Sequence, residues 1–281
     1  MTTQNSILKK AATAFTGAAR PKATQDPTIR PGTLGLWDFT DKRCNPNADG
    51  ALAIGATFNN MVDGGAAVTV LATGLTSVAG KAGITTPGAG TYIQLGGAGL
   101  FDLHASQDEL LFNLTFKLPA SGLTTGFAPQ FGMGSAGAIG NVGTTPFRLD
   151  MGSDGKTARA QFGNGSTLSN SQIALAQNVV NQLIVHFKPS TGLIELYVNG
   201  ALALSQANTP FTLQNGSAML AYIAGGSAGT TLYRAGFEDV AATAAAEAAM
   251  GLTPLSVAQL AANDYLFITG ASAIAPRSAL V

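Results

Sequence analysis

Glycoside hydrolysis asks for two carboxyl groups flanking one bond, and acyl transfer for a nucleophile, an imidazole and an orienting acid. The chain offers little for either: 281 residues hold 15 acidic side chains, two histidines and one cysteine. Asp108–Glu109 and Glu238–Asp239 are adjacent acids, and strand neighbours point to opposite faces, so neither pair makes a dyad. No Glu-x-Asp-x-x-Glu run is present, although that spacing would line acids along one face of a strand. His186 is expected to face Glu195 across a hairpin, without a Gly-x-Ser-x-Gly context, and reads as a cross-strand polar pair. His104, in Phe101-Asp102-Leu103-His104, reads as a loop or strand-edge residue. One cysteine and two separated histidines exclude a standard structural zinc site. Cys44 has no partner for an intrachain disulfide, which fits folding in a reducing cytoplasm. No catalytic, cofactor-binding or metal-ligating residue is assigned.

The elements that would position such groups are strands. Val179 to Gly200, VVNQLIVHFKPSTGLIELYVNG, reads as two strands joined by Pro189-Ser190-Thr191-Gly192, with Lys188 opposite Leu193. Leu183, Val185 and Phe187 then share an apolar face with Ile194, Leu196 and Val198, and a one-residue slip would mix the two faces. Phe147 to Phe162 gives a second register. With Asp154-Gly155 as a type I′ turn, Phe147 pairs with Phe162, Leu149 with Ala160 and Met151 with Ala158. On the reverse side Asp150 meets Arg159. Residues 109–118 alternate in the same way, with Leu110, Phe112, Leu114, Phe116 and Leu118 on one face. Further short strands are read around Thr33–Phe39, Phe58–Leu71, Thr91–Leu95, Met219–Ile223 and Thr230–Val240. Residues 119–146 are a Gly-rich excursion, taken as a loop and a candidate binding or assembly segment by its location.

The charged fraction is 11%, about half the usual share, and the net charge is zero. Residues 1–31 carry Lys9, Lys10, Arg20, Lys22 and Arg30 against Asp26 alone, a balance of +4. This segment reads as a basic arm with an amphipathic stretch near residues 7–15, punctuated by Pro21, Pro27 and Pro31. Four surplus charges are too few to indicate nucleic acid. No apolar run approaches the ~18 residues that span a membrane, and the N-terminus is a poor signal peptide. Ala241 to Met250 is Ala-rich, and Thr253-Pro254 reads as the cap and first position of a helix carrying Val257, Leu260, Ala261, Tyr265 and Ile268. The chain therefore divides into an arm (1–31), an all-β sandwich (32–240), and a helical extension and tail (241–281).

The strand–turn–strand ending in YVNG, together with Gly35-x-Trp37-x-Phe39 near the start of the domain, resembles laminin-G-like, concanavalin A-like jelly rolls. The resemblance covers about residues 33–240 and implies a two-sheet antiparallel sandwich with Trp37 packed between the sheets. Domains of this kind often hold a calcium ion at a loop rim. Asp63, Asp102 and Asp150 are the acids to consider for it, and no cofactor is assigned. A more distant resemblance, carried by Phe237-Glu238-Asp239-Val240 and the helix ending Ala261-Ala262-Asn263-Asp264-Tyr265, is to tailed-bacteriophage virion proteins. It implies a non-enzymatic decoration, fibre or tail-associated protein, homo-oligomeric, made in the host cytoplasm and resident in the virion. The arm would then contact other virion proteins and the sandwich a cell-surface glycan. The alternative is a glycan-binding module of a bacterial surface or secreted protein.

Overall fold

Alternating apolar residues dictate the architecture. The computed structural model of the chain describes residues 26–65, 67–70, 73–77, 83–87, 92–95, 109–120, 128–134, 147–163, 168–210, 220–224 and 228–270. The segment near residues 7–15, Asp102, His104, Asp108 and the tail beyond residue 270 lie outside them.

Among the described residues two antiparallel sheets face each other. In the larger, β15 (Ala201–Ala207), β14 (Leu193–Val198), β13 (Val180–Lys188), β8 (Leu110–Lys117), β17 (Thr231–Asp239), β6 (Ile84–Thr85), β5 (Thr76–Ser77) and β2 (Gly50–Ala51) run in that order. β1 (Thr33–Asp38) is also paired to β17. The smaller sheet runs β12 (Leu168–Ala174), β11 (Thr157–Gly163), β10 (Phe147–Met151), β9 (Ala128–Gly134), β16 (Leu220–Ala224), β7 (Tyr92–Leu95), β4 (Val68–Val70) and β3 (Thr57–Phe58). The fold is an all-β sandwich with two C-terminal helices, α1 (Val240–Ala249) and α2 (Val257–Ile268).

The two hairpin registers stand as read. Lys188 pairs with Leu193 and Leu183 with Val198, while Phe147 pairs with Phe162 and Met151 with Ala158. The turns are more particular. Pro189–Thr191 forms a 3-10 turn closed by Gly192 at φ 67°, where a Cβ would lie 2.1 Å from the Asn208 carbonyl oxygen. In the second hairpin Gly155 has a positive φ but Asp154 does not, so the turn is not type I′. Instead the Gly155 N–H closes on the Gly152 carbonyl, and the Asp154 carboxylate accepts from the N–H groups of Lys156 and Thr157. Asp154 gains more as an acceptor than from a left-handed backbone.

Two other expectations are corrected. Residues 128–134, read as loop, form β9 between β10 and β16. Its Gly132, Gly134 and Pro129 argue locally against a strand, and Pro129 is accommodated where the register shifts beside Asp150. Pairing on both sides supplies what local preference lacks. The cap of α2 is Ser256, not Thr253: its hydroxyl accepts from the Gln259 N–H, and the Gln259 side chain accepts from the Ser256 N–H.

Between the sheets lies one core. Phe112 and Phe187 of the larger sheet meet Phe147 and Phe162 of the smaller, at ring separations of 5.4 Å for Phe112–Phe147 and 4.2 Å for Phe162–Phe187. Trp37 is buried in this core as the resemblance implied, its ring folded back over Gly35, where a Cβ would clash at 2.4 Å. The outer face of the larger sheet is apolar in part, through Leu111, Ile184 and Tyr197, and Val257, Leu260 and Ala261 of α2 cover it. Asn199-Gly200, both at positive φ, turns the chain tightly enough for α2 to approach: a Gly200 Cβ would lie 3.1 Å from that of Tyr265.

Candidate functional site

Three polar clusters could carry chemistry, and each sits on an outward face of a sheet. The first is centred on Arg234 of β17, whose side chain is 1% exposed. Its register partner in β1 is Asp38. The guanidinium donates to Asp26 at 2.8 and 3.2 Å and to Asp38 at 3.3 Å, and it also bonds the Thr28 hydroxyl. Asp264 of α2 lies 3.8 Å away, accepting in turn from the side-chain amides of Asn113 at 2.7 Å and Gln182 at 2.8 Å. Nearby, Arg30 pairs with Glu238, which accepts from Thr243.

Burial alone would push the Arg234 guanidinium towards losing its proton. Asp26, Asp264 and Asp38 outweigh that and hold its pKa above the usual range. Burial would likewise raise the Asp26 carboxyl, but Arg234 and Thr28 together hold it below the usual carboxylate value. The adjoining cavity, lined by Leu36, Asn113, Arg234 and Asp264, measures about 30 Å³, room for one or two waters. This cluster joins β1, β17, α2 and residues 26–30 into one unit. Of the arm read over 1–31, Asp26, Thr28 and Arg30 are thus bonded onto the sandwich.

The second cluster is His186 of β13, with its side chain 5% exposed. Nδ1 lies 3.0 Å from Glu195 across the hairpin, as read, and Nε2 lies 3.0 Å from Glu109, which the sequence did not connect with it. The Tyr197 hydroxyl donates to Glu195 at 2.9 Å, and Lys188 sits 3.6 Å from Glu109. Burial and the Glu195 charge raise the pKa of the Tyr197 phenol, so it stays a donor. A neutral imidazole has one N–H, so two carboxylate partners are both satisfied only when both ring nitrogens donate. The cluster ties the start of β8 to β13 and β14.

The third lies on the smaller sheet. Asp150 of β10 is fully buried, with Arg148 Nε 2.9 Å from Oδ1 and Arg159 Nη2 donating to Oδ2 at 2.7 Å. Arg148 also donates twice to the Gln161 side chain, at 3.1 and 2.6 Å. The Asp150–Arg159 pair is the cross-strand contact read from the register, and Arg148 is the addition.

The other sequence candidates scatter. Asp63 is exposed, and Asp150 is held by two guanidiniums that a calcium ion would have to displace. Glu238 belongs to the first cluster, while Asp239 caps α1 by accepting from the Ala242 N–H. Cys44 is buried, and its burial pushes the thiol well above its usual pKa. Among the described residues no group of three or more His, Cys, Asp or Glu is arranged to hold a metal ion, and no helix is long and apolar enough to cross a membrane.

No protein-family model matches the chain, and no curated protein does. Solved structures are similar to it in fold. The receptor binding domain of botulinum neurotoxin C/D mosaic serotype is 9% identical with a TM-score of 0.58, over 84% of this chain and 51% of that one. The botulinum neurotoxin serotype D binding domain is 10% identical with a TM-score of 0.58, over 85% of this chain and 52% of that one. Trypanosoma rangeli sialidase is 13% identical with a TM-score of 0.53, over 94% of this chain and 38% of that one. The chain thus corresponds to about half or less of each of these structures, and at such identity the likeness concerns the fold.

Proposed function

We propose that this chain is a non-enzymatic recognition protein whose sandwich binds glycans, and that it serves as a virion structural component of the tailed-bacteriophage kind. The observation that carries the recognition role is the use of its carboxylates. Asp26, Asp38 and Asp264 serve Arg234, Glu238 serves Arg30, Asp150 serves two arginines, and Glu109 and Glu195 bracket His186. Groups committed in this way hold strands together rather than flank a scissile bond. The fold is shared with binding domains of botulinum neurotoxins and with a sialidase also solved with sialic acid, which favours a saccharide as the ligand. The virion setting draws on the sequence: a charge-poor body, a single cysteine, and a basic N-terminal segment suited to anchoring on an acidic neighbour.

Glycan-array binding by the purified chain, with saturable signals, is the expected result. Silence across the array, or release of reducing ends from polysaccharides, would overturn the recognition role. Mass spectrometry of purified particles should find the chain in virions. Its absence there, with glycan binding intact, would leave a module of a bacterial surface or secreted protein.

A further inference from the structure

We infer that the cavity beside Arg234 is a built site for a neutral hydroxyl, and that its occupant is ordered water bridging β17 and β8. Two buried atoms of residues lining it make no hydrogen bond with any described residue. They are Nε of Arg234, 1% exposed, and Oδ1 of Asn113, 8% exposed. Folded proteins rarely leave such groups without a partner. Neither can be exchanged for another atom of its own side chain. Arg234 commits Nη1 to Asp26 and Asp38, and Nη2 to Asp26 and Thr28, so Nε–H is the donor left over. Asn113 must turn its Nδ2 to Asp264, because an ionised carboxylate only accepts, and that leaves Oδ1 without a donor.

This pair sets the chemistry of what binds. Nε–H needs an acceptor and Oδ1 needs a donor, and one hydroxyl supplies both. A metal cation gives Nε–H nothing to donate to, and a carboxylate or sulfate gives Oδ1 no proton. The protein's own hydroxyls along the cavity are committed elsewhere. Thr28 donates to Asp26 at 2.7 Å and accepts from Arg234, while Thr33 accepts from the Arg30 N–H at 2.8 Å. A volume of about 30 Å³ fits one or two waters and excludes a sugar ring. The space exists because position 236 carries no side chain. Gly236 is the register partner of Asn113, and a Cβ there would lie 3.9 Å from the Asn113 Cβ and 3.3 Å from Leu36 Cδ1. Through Asn113, which already holds Asp264, the water joins α2 to the cation that binds residues 26–30.

The test is a crystal structure of the full chain, grown and cooled without alcohols, at a resolution that orders water. Oxygen density within hydrogen-bonding reach of both Arg234 Nε and Asn113 Oδ1 is expected. Density that reaches neither atom, or only one, overturns the bridge. In solution, oxygen-17 relaxation dispersion counts long-lived internal waters. Wild type should exceed Gly236→Ala by one or two, and equal counts overturn the site. Urea unfolding separates the need for a hydroxyl from the filling of space. Gly236→Ala and Gly236→Ser set the same Cβ against Leu36, and only the serine Oγ can stand in for the water. The serine variant should have the higher midpoint. An alanine midpoint as high or higher would mean that the two atoms need no partner, and overturns the site. The crystal structure needs no variant and decides alone if neither substitution folds.

Discussion

The two outer sheet faces solve the same problem in opposite ways. Over the larger sheet, residues 26–30 and helix α2 cover the strands, and a single cation, Arg234, is encircled by Asp26, Asp38 and Asp264. Over the smaller sheet a single carboxylate, Asp150, is flanked by Arg148 and Arg159, which retain some exposure. A buried ion is tolerated only when paired and hydrogen-bonded. On the first face every partner comes from a distant part of the chain, so the charges act as a clasp. On the second, Arg148, Asp150, Arg159 and Gln161 all come from one hairpin, so these contacts link neighbouring strands.

Breaking the clasp should have the largest effect. Arg234→Met leaves buried carboxylates without their cation and should cost about 3–5 kcal/mol in urea or guanidinium unfolding. A loss under about 1 kcal/mol would mean that the carboxylates relax into solvent and that the clasp is incidental. Removal of residues 1–31 would take away Asp26, Thr28 and Arg30, so the truncation suited to testing a role in assembly ends at residue 25.

Acid sharpens the contrast. The folded-state pKa of Asp26 is depressed, so its contribution is complete above the unfolded carboxyl value and is lost as pH falls through the folded one. Wild type should therefore exceed Asp26→Asn in stability at neutral pH, with the gap closing below about pH 4. A gap unchanged from pH 7 to pH 3 in denaturation midpoints would remove Asp26 from the clasp. The smaller effect belongs to the other face: Arg159→Gln takes a hydrogen bond from the buried Asp150 but leaves Arg148 beside it, and should cost about 1–3 kcal/mol. A loss as large as that of Arg234→Met would make the two faces alike.

Legibility in the sequence followed the range of the interaction. Leu183 to Phe187 against Ile194 to Val198 could be read because both strands and their turn lie within twenty-odd residues and apolar alternation admits one register. His186 facing Glu195 followed from that register, whereas Glu109 at its other nitrogen did not, since it lies just before β8, 77 residues away. Likewise β9 was hidden, because Gly132, Gly134 and Pro129 speak locally for a loop while β10 and β16 hold the segment extended from either side.

The amino-acid order by itself determined the hairpins, the apolar inner faces and the one-hairpin contact of Asp150 with Arg159. These depend on a period of two and on turns whose residues are neighbours in the chain. Only the tertiary structure decided what covers each sheet. It brought Asp26 and Arg30 to Arg234 and Glu238 across 208 residues, and set Asp264 of α2 on Asn113 and Gln182. Charges so far apart carry no local pattern, and their pairing exists only once the sandwich has formed.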